Sequence, residues 1–345
     1  MGETSYGAFH VLGLETSCDE TSCAVLEGNG SCEAPGLRLR SNVVASQVNL
    51  HRRFGGVVPE VASRRHVEVI IPVIDQALRN AGLRASDVAA VAATHGPGLV
   101  GAILVGLSAA KAIAMARRVP FIGVNHVEAH LYANFIEHPD LRPPFVCLVV
   151  SGGHTDLVYL ESHGSREVMG RTRDDAAGEA FDKVARVLGL GYPGGPAIDD
   201  AARVGDPSAI RFPRAFLEEG SYDFSFSGLK TAVVNYVKKA RSANVPDIAA
   251  GFQEAVVDVL VEKTVRAARD KGVEIVALAG GVAANSRLRE RMGARSSEVG
   301  LRLVIPSPGL CTDNAAMVAC AGYFRLCRGE RSPLELPAVP DLGLE

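Results

Sequence analysis

A chain of 345 residues with 47% apolar side chains exceeds one average core and calls for two domains or one large two-lobed α/β unit. Its 36 basic and 39 acidic side chains leave a net charge of -3, which excludes an overall basic field, so RNA would have to be met by a local patch or through partners. Seven cysteines without a C-x2-C pair exclude a disulfide framework or zinc knuckle; with no signal segment at 1–9 and no run of 18 apolar residues, a soluble, cytoplasmic protein without a membrane span is expected.

An apolar run from Phe9 to Leu14, the polar stretch Glu15-Thr16-Ser17-Cys18-Asp19-Glu20-Thr21-Ser22 and a second run from Cys23 to Leu26 predict a hairpin with a tip rich in hydroxyls and carboxylates. A third strand follows at about 37–46. Val67, Ile70, Ile71, Ile74 and Leu78 have helical spacing, closed by Gly82. Val88 to Thr94 reads as a strand buried on both faces, and His95-Gly96-Pro97-Gly98 opens a helix over 99–117. After a strand at 121–124, His126 begins the next helix.

Pro143-Pro144 is a plausible boundary, beyond which the same order starts again: strand 145–150, turn Ser151-Gly152-Gly153-His154, and returning strand 155–160. A strand over 167–172 leads into a helix ending near Gly189, and the stretch around Tyr192 to Asp200 reads as irregular. Residues 246–271 keep a helical period over about seven turns. Strand 275–278 runs into Ala279-Gly280-Gly281, strand 301–305 precedes Cys311-Thr312-Asp313-Asn314, and a terminal helix reaches about Arg328. The proline-rich tail 332–345 has no period and is expected to be loosely held.

His126 and His130 fall one helical turn apart, a spacing that suits either a metal-ligand pair or two satisfied histidines. Val127 occupies the place that the glutamate of His-Glu-x-x-His holds in zinc proteases, which argues against peptide hydrolysis. A carboxylate such as Asp313 is a good third partner for two histidines on Fe²⁺ or Zn²⁺, although an N-cap reading of Asp313 is equally natural. Four glycine or hydroxyl turns after strands, in two similar halves, point to a phosphate-bearing ligand in a cleft. Asp182 and Asp199 suit ligand hydroxyls, or else a salt bridge and a helix cap.

These segments, with Gly55-Gly56-Val57-Val58-Pro59-Glu60, Val150-Ser151-Gly152-Gly153-His154-Thr155, Asp174 to Lys183, Tyr192-Pro193-Gly194-Gly195-Pro196, Phe224 to Thr231 and Ala279 to Asn285, carry a resemblance from about Val11 to Arg328. The chain resembles the TsaD family, the tRNA N6-adenosine threonylcarbamoyltransferases once described as glycoproteases. The resemblance implies an α/β fold of the sugar kinase, Hsp70 and actin (ASKHA) group, with duplicated RNase H-like lobes around a nucleotide cleft. The lobes would be 1–125, rejoined by the helix 313–328, and 126–312. It implies that His126, His130 and Asp313 hold one divalent ion, Fe²⁺ with Zn²⁺ as alternative. Val149, Val150, Ser151, Gly152, Gly153, Asp182, Gly195, Asp199 and Asn285 would bind substrate. The implied reaction moves threonylcarbamoyl from threonylcarbamoyl-AMP to N6 of adenosine 37 in tRNAs reading codons that begin with A, with TsaB and TsaE as partners. A metal-dependent glycoprotease and a kinase of the same fold class are the alternatives.

Overall fold

The computed structural model describes residues 6–30, 35–215, 220–239 and 244–344. The chain divides into two compact units, 1–142 with 313–345, and 143–312. In the first, β1 (Tyr6–Glu15), β2 (Glu20–Gly30), β3 (Pro35–Ser46), β4 (Ala90–Gly96) and β5 (Phe121–Asn125) form a sheet of order β3-β2-β1-β4-β5. The first three strands are an antiparallel meander, and β4 and β5 run parallel to β1.

Alternation along β1 sends its residues to two different cores. Leu12 and Leu14 pack with Ile70, Ile74, Ile103 and Leu107 of the helices Pro59–Ala81 and Val100–Arg117. Gly13, on the other face, lies against Ala315 and Ala319 of the helix Ala315–Cys327, and a Cβ there would collide with that helix's backbone. Covered on both faces, β1 and β4 read as continuous apolar runs. Among the described residues one helix, Val100–Arg117, is long and apolar enough to cross a membrane; here Ala102, Ile103, Leu107, Ala110 and Ala114 are buried as part of the first core.

The second unit repeats the arrangement. Its strands are β6 (Phe145–Val150), β7 (Thr155–Ser162), β8 (Ser165–Arg171), β9 (Ile275–Ala279) and β10 (Arg302–Val304), in the order β8-β7-β6-β9-β10. Again the first three are antiparallel and the last two follow parallel to the first. Val146, Leu148 and Val150 pack against Phe181 and against Phe252, Val256 and Leu260 of the 27-residue helix Val245–Lys271.

Three sequence expectations differ from what is observed. Residues 126–142 cluster with the first unit, whereas the sequence reading began the second lobe at 126. The cause is that β5 enters the helix His126–Tyr132 with no linker, and that Tyr132 and Phe135 both pack at a tilt against Phe324, each with ring centroids 5.1 Å apart. The stretch read as irregular contains the helix Gly194–Ala202. Its prolines do not disrupt it, because Pro193 is the N-cap and Pro196 lies in the first turn, where an amide hydrogen has no partner to lose. Finally, the segment 332–344 is tied down rather than loose. Ser332 N–H donates to the Phe121 carbonyl at 2.8 Å, Val339 N–H to that of His95 at 2.8 Å, and Gly98 N–H to that of Pro340 at 3.0 Å. Lys111 Nζ donates to the Leu336 carbonyl at 2.5 Å and Asn125 Nδ2 to that of Gly343 at 3.0 Å. Regular periodicity is a poor guide to such a segment, whose anchors are single backbone bonds and the side chains of Leu336, Ala338 and Leu344.

Deleting 333–345 therefore removes part of the first core. A loss of about 2 kcal/mol or more in unfolding free energy is expected from the apolar burial alone, measurable by denaturant titration; an unchanged midpoint and slope would show that the segment contributes nothing.

Candidate functional site

Parallel strands β1, β4 and β5 end at one edge of the first sheet, the place where an open α/β sheet exposes its loops. At that edge Thr16 to Asp19 form a four-residue turn between β1 and β2. Asn125, the last residue of β5, caps the next helix through its side-chain oxygen, which accepts the Val127 and Glu128 N–H groups at 2.8 and 3.2 Å. The cap fixes where the helix starts, and the 3.6-residue period then brings the His126 and His130 rings together, edge to face, with centroids 4.7 Å apart.

Both Nε2 atoms approach one oxygen of Asp313, at 3.6 Å from His126 and 3.1 Å from His130. Asp313 is not the cap of the last helix: Asn314 is, accepting the Ala316 and Met317 N–H groups at 3.0 and 3.2 Å. On its far side, His126 Nδ1 lies 3.1 Å from Glu15 Oε2 and 3.1 Å from Ser17 Oγ. Glu15 is itself held by the Thr94 hydroxyl and by the Ser17 N–H, each donating at 2.6 Å. A carboxylate at Nδ1 keeps the hydrogen there and leaves Nε2 as the lone-pair atom that would ligate a cation beside Asp313.

The donor set fits a divalent cation. One ligand atom from each of His126, His130 and Asp313 lies within 4.8 Å of the other two, and two imidazoles with a carboxylate suit Zn²⁺ or Fe²⁺. The local charge fits as well. Burial, with Asp19 and Asp313 nearby, pushes Glu20 up to about 9, and Asp19 has a buried carboxylate oxygen without a hydrogen-bond partner. Burial resists charge on His126, but Asp313 and Glu15 outweigh it and push the imidazole up to about 9, so a proton holds the position that a cation would take. Val127, in the general-base place of zinc proteases, is buried, and Glu128 faces Arg325, with Oε2 3.7 Å from its Nε.

In the second unit the corresponding turn, Ser151 to His154, is also four residues long. Gly152, Asp182, Gly195, Asp199 and Asn285 line a cavity of ≈ 390 Å³. Asp182, Asp199 and Asn285 also brace the helices around it. Asp182 Oδ1 accepts the Gly194 N–H at 2.6 Å; Asp199 accepts the Ser286 hydroxyl at 2.7 Å and its N–H at 3.2 Å. Asn285 caps the helix Ser286–Glu298 by accepting the Leu288 N–H at 2.9 Å, and its amide donates to Gln253 Oε1 at 2.7 Å. Gly178 is a packing glycine, since a Cβ there would stand 2.5 Å from the Ser151 carbonyl oxygen. Gly152, Gly195 and Gly281 are different: none has a positive φ, and a Cβ on any of them would meet nothing within 4 Å. The fold does not require glycine there; a ligand approaching the backbone would.

The family model for TsaD, tRNA N6-adenosine threonylcarbamoyltransferase, matches residues 38–320. The chain belongs to this family. The tRNA N6-adenosine threonylcarbamoyltransferase of Symbiobacterium thermophilum is 60% identical over 97% of this chain and 96% of its own length. That of Moorella thermoacetica is 56% identical over 97% of each. Among solved structures, HypF of T. kodakarensis is similar with a TM-score of 0.63 at 15% identity, over 95% of this chain and 48% of that one. Component A of the (R)-2-hydroxyglutaryl-CoA dehydratase of Acidaminococcus fermentans gives 0.54 at 16% identity, over 93% and 99%. These likenesses carry the fold, that of the sugar kinase, Hsp70 and actin group.

For this TsaD family member the residues expected from sequence divide into three sets. His126, His130 and Asp313 converge. Gly152, Asp182, Gly195, Asp199 and Asn285 share the cavity. Val149 and Val150 lie in β6 with fully buried side chains, Ser151 folds back on His154 with its N–H 2.8 Å from the His154 carbonyl, and Gly153 is exposed outside the cavity lining. Sequence reasoning gave no role to Glu15, Ser17 and Thr94 around His126, or to Tyr192, Arg203 and Thr312 in the cavity lining, whereas Gly281 belongs to one of the four turns expected to meet a phosphate. Glu15 had a signal: a carboxylate ending an apolar strand must find a partner once buried.

Glu15→Gln should weaken Zn²⁺ binding by about tenfold, because the neutral amide no longer holds His126 Nδ1–H against a charge, and His126→Ala should remove the site. Competition with a chromophoric chelator measures both; wild-type affinity in Glu15→Gln would show that the carboxylate does not tune the site.

Proposed function

We propose that this TsaD family enzyme uses threonylcarbamoyl-AMP as donor and adenosine 37 of tRNAs reading codons that begin with A as acceptor. The observation that carries the reading is the convergence of His126, His130 and Asp313 in a chain 60% identical to a curated transferase over nearly its whole length. In the reaction the N6 amine attacks the carbamoyl carbonyl carbon, the bond from that carbon to the AMP phosphate oxygen breaks, AMP leaves, and the amine loses a proton. An exocyclic adenine amine is a weak nucleophile, so orientation of the donor and stabilisation of the departing phosphate are the protein's main tasks.

The cavity of the second unit suits the adenylate. Asp182 and Asp199 would accept hydrogen bonds from ribose hydroxyls, and the bare backbone at Gly152, Gly195 and Gly281 would let the ligand approach closely. Of the Ser151 to Gly153 turn, the amides of Gly152 and Gly153 would meet the phosphate, that of Ser151 being given to the His154 carbonyl. His126, His130 and Asp313 would hold one divalent ion, Fe²⁺ or Zn²⁺, which supplies Lewis acidity when bound. Glu15 and Ser17 would keep His126 in the tautomer that ligates.

TsaB and TsaE are the partners inferred, and the cytoplasm the compartment. In support of a protein partner, Val67 and Ile71 are 64% and 66% exposed on one helix, and Val100 and Leu104 are 50% and 48% exposed on the helix packed beside it. Exposed apolar side chains at i and i+4 on adjoining helices suit a helical partner face better than water.

Labelled threonylcarbamoyl supplied as its adenylate to unmodified tRNA, with partners present, should appear at adenosine 37 and disappear with a chelator. A folded, metal-loaded protein giving no product would sink the assignment. Gly195→Ala should change stability by less than about 0.5 kcal/mol, yet raise the KM for the adenylate by about tenfold or more, equivalent to about 1.4 kcal/mol; an unchanged KM would remove Gly195 from the ligand's path. Val67→Glu with Ile71→Glu should abolish co-elution with TsaB on size-exclusion chromatography while leaving the melting curve in place, and continued co-elution would move the docking surface elsewhere.

A further inference from the structure

His66 takes no part in the chemistry described so far, yet it is fully buried on the helix Pro59–Ala81, whose neighbouring Val67 faces outward. Its Nε2 lies 3.0 Å from the Cys18 carbonyl oxygen and its Nδ1 2.7 Å from Thr21 Oγ1. A carbonyl can only accept, so Nε2 carries the hydrogen, and Nδ1 then accepts from the Thr21 hydroxyl. Burial holds the His66 pKa below its usual value, which keeps the ring neutral, and a single neutral tautomer satisfies both nitrogens. A histidine that merely fills space needs neither bond.

Cys18 lies in the turn that joins β1 to β2 and Thr21 just beyond it, at the start of β2; the turn's backbone is fastened residue by residue. The Ser17 carbonyl accepts from Leu99 N–H at 2.8 Å, the Cys18 carbonyl from His66, and the Asp19 carbonyl from Gln47 N–H at 3.0 Å. The Thr16 hydroxyl donates to the Ala102 carbonyl at 2.8 Å. Glu15 and Ser17, the groups that meet His126 Nδ1, are the residues this fastening orients.

We infer that His66 is a positioning residue of the cation site: by holding the Cys18 carbonyl and the Thr21 hydroxyl it keeps the turn in the shape in which Glu15 and Ser17 meet His126. The inference rests on the reading of His126, His130 and Asp313 as ligands. It also ties the helix bearing the exposed Val67 and Ile71 to a ligand of the cation through a short run of hydrogen bonds.

The test titrates the metal-free full-length protein with Co²⁺ alone, followed by visible absorption, alongside amide hydrogen exchange of residues 17–21. His66→Ala should bind Co²⁺ about tenfold more weakly and exchange faster in the turn. His66→Gln, whose amide nitrogen reaches toward the same carbonyl, should recover most of the affinity, which a purely space-filling role does not predict. A folded His66→Ala protein with wild-type Co²⁺ affinity overturns the inference. If that variant does not fold, Thr21→Val, which removes the hydroxyl at Nδ1 with little change in shape, decides the question on the same two readings. His126→Ala separates the two ideas: Co²⁺ binding that survives it defeats the ligand reading, while faster exchange of the turn in His66→Ala would still show that His66 holds it.

Discussion

The contact on which the first unit depends is that between the Glu15 carboxylate and His126. Burial resists the charge on Glu15, and His126 beside it brings the carboxyl below its usual range. Removing His126 would leave the buried Glu15 charge without its cationic partner, a change that typically costs about 3–5 kcal/mol. For the pair to form, three strands must end in step. The registers Leu14↔Ala93 and Thr94↔Val124 bring the end of β1, the Thr94 hydroxyl and the start of the His126 helix to one corner. The sheet is thus the device that turns distant sequence positions into one site.

Much of this was legible in the sequence because the strongest signals are periodic. The doubled strand-turn-strand opening gave away the duplication, and the His126 and His130 spacing gave away two imidazoles on one face. Asp313 was ambiguous for a physical reason. Both Asp313 and Asn314 can cap a helix, and only the hydrogen bonds from Ala316 and Met317 to Asn314 leave the aspartate to the histidines. Glu15, Ser17 and Thr94 were hidden because their contacts with His126 and with one another close over as many as 111 residues of chain. The helix Gly194–Ala202 was hidden because Gly and Pro at a helix start look like a loop.

The C-terminal segment shows the limit of composition as a guide. Proline-rich and without period, it is nevertheless laid along β4 and β5 by bonds to the carbonyls of Phe121 and His95 and to the amide of Gly98. Asn125 joins it to the site by doing two things at once: its oxygen caps the His126 helix and its nitrogen bonds to the Gly343 carbonyl. Order in such a segment comes from the surface it lies on, and no local pattern needs to record it.

The two four-residue turns, Thr-Ser-Cys-Asp at 16–19 and Ser-Gly-Gly-His at 151–154, occupy the same place in two sheets of one topology. After a duplication, identical sheets leave their loops free to diverge without disturbing either core. One copy keeps its side chains, with the Ser17 hydroxyl turned, beside Glu15 at the end of β1, on the His126 imidazole. The other was stripped of side chains at Gly152 and Gly153 so that peptide groups themselves face outward. The two halves thus differ in chemistry at about four positions in each, those of the turn between the first two strands of each sheet.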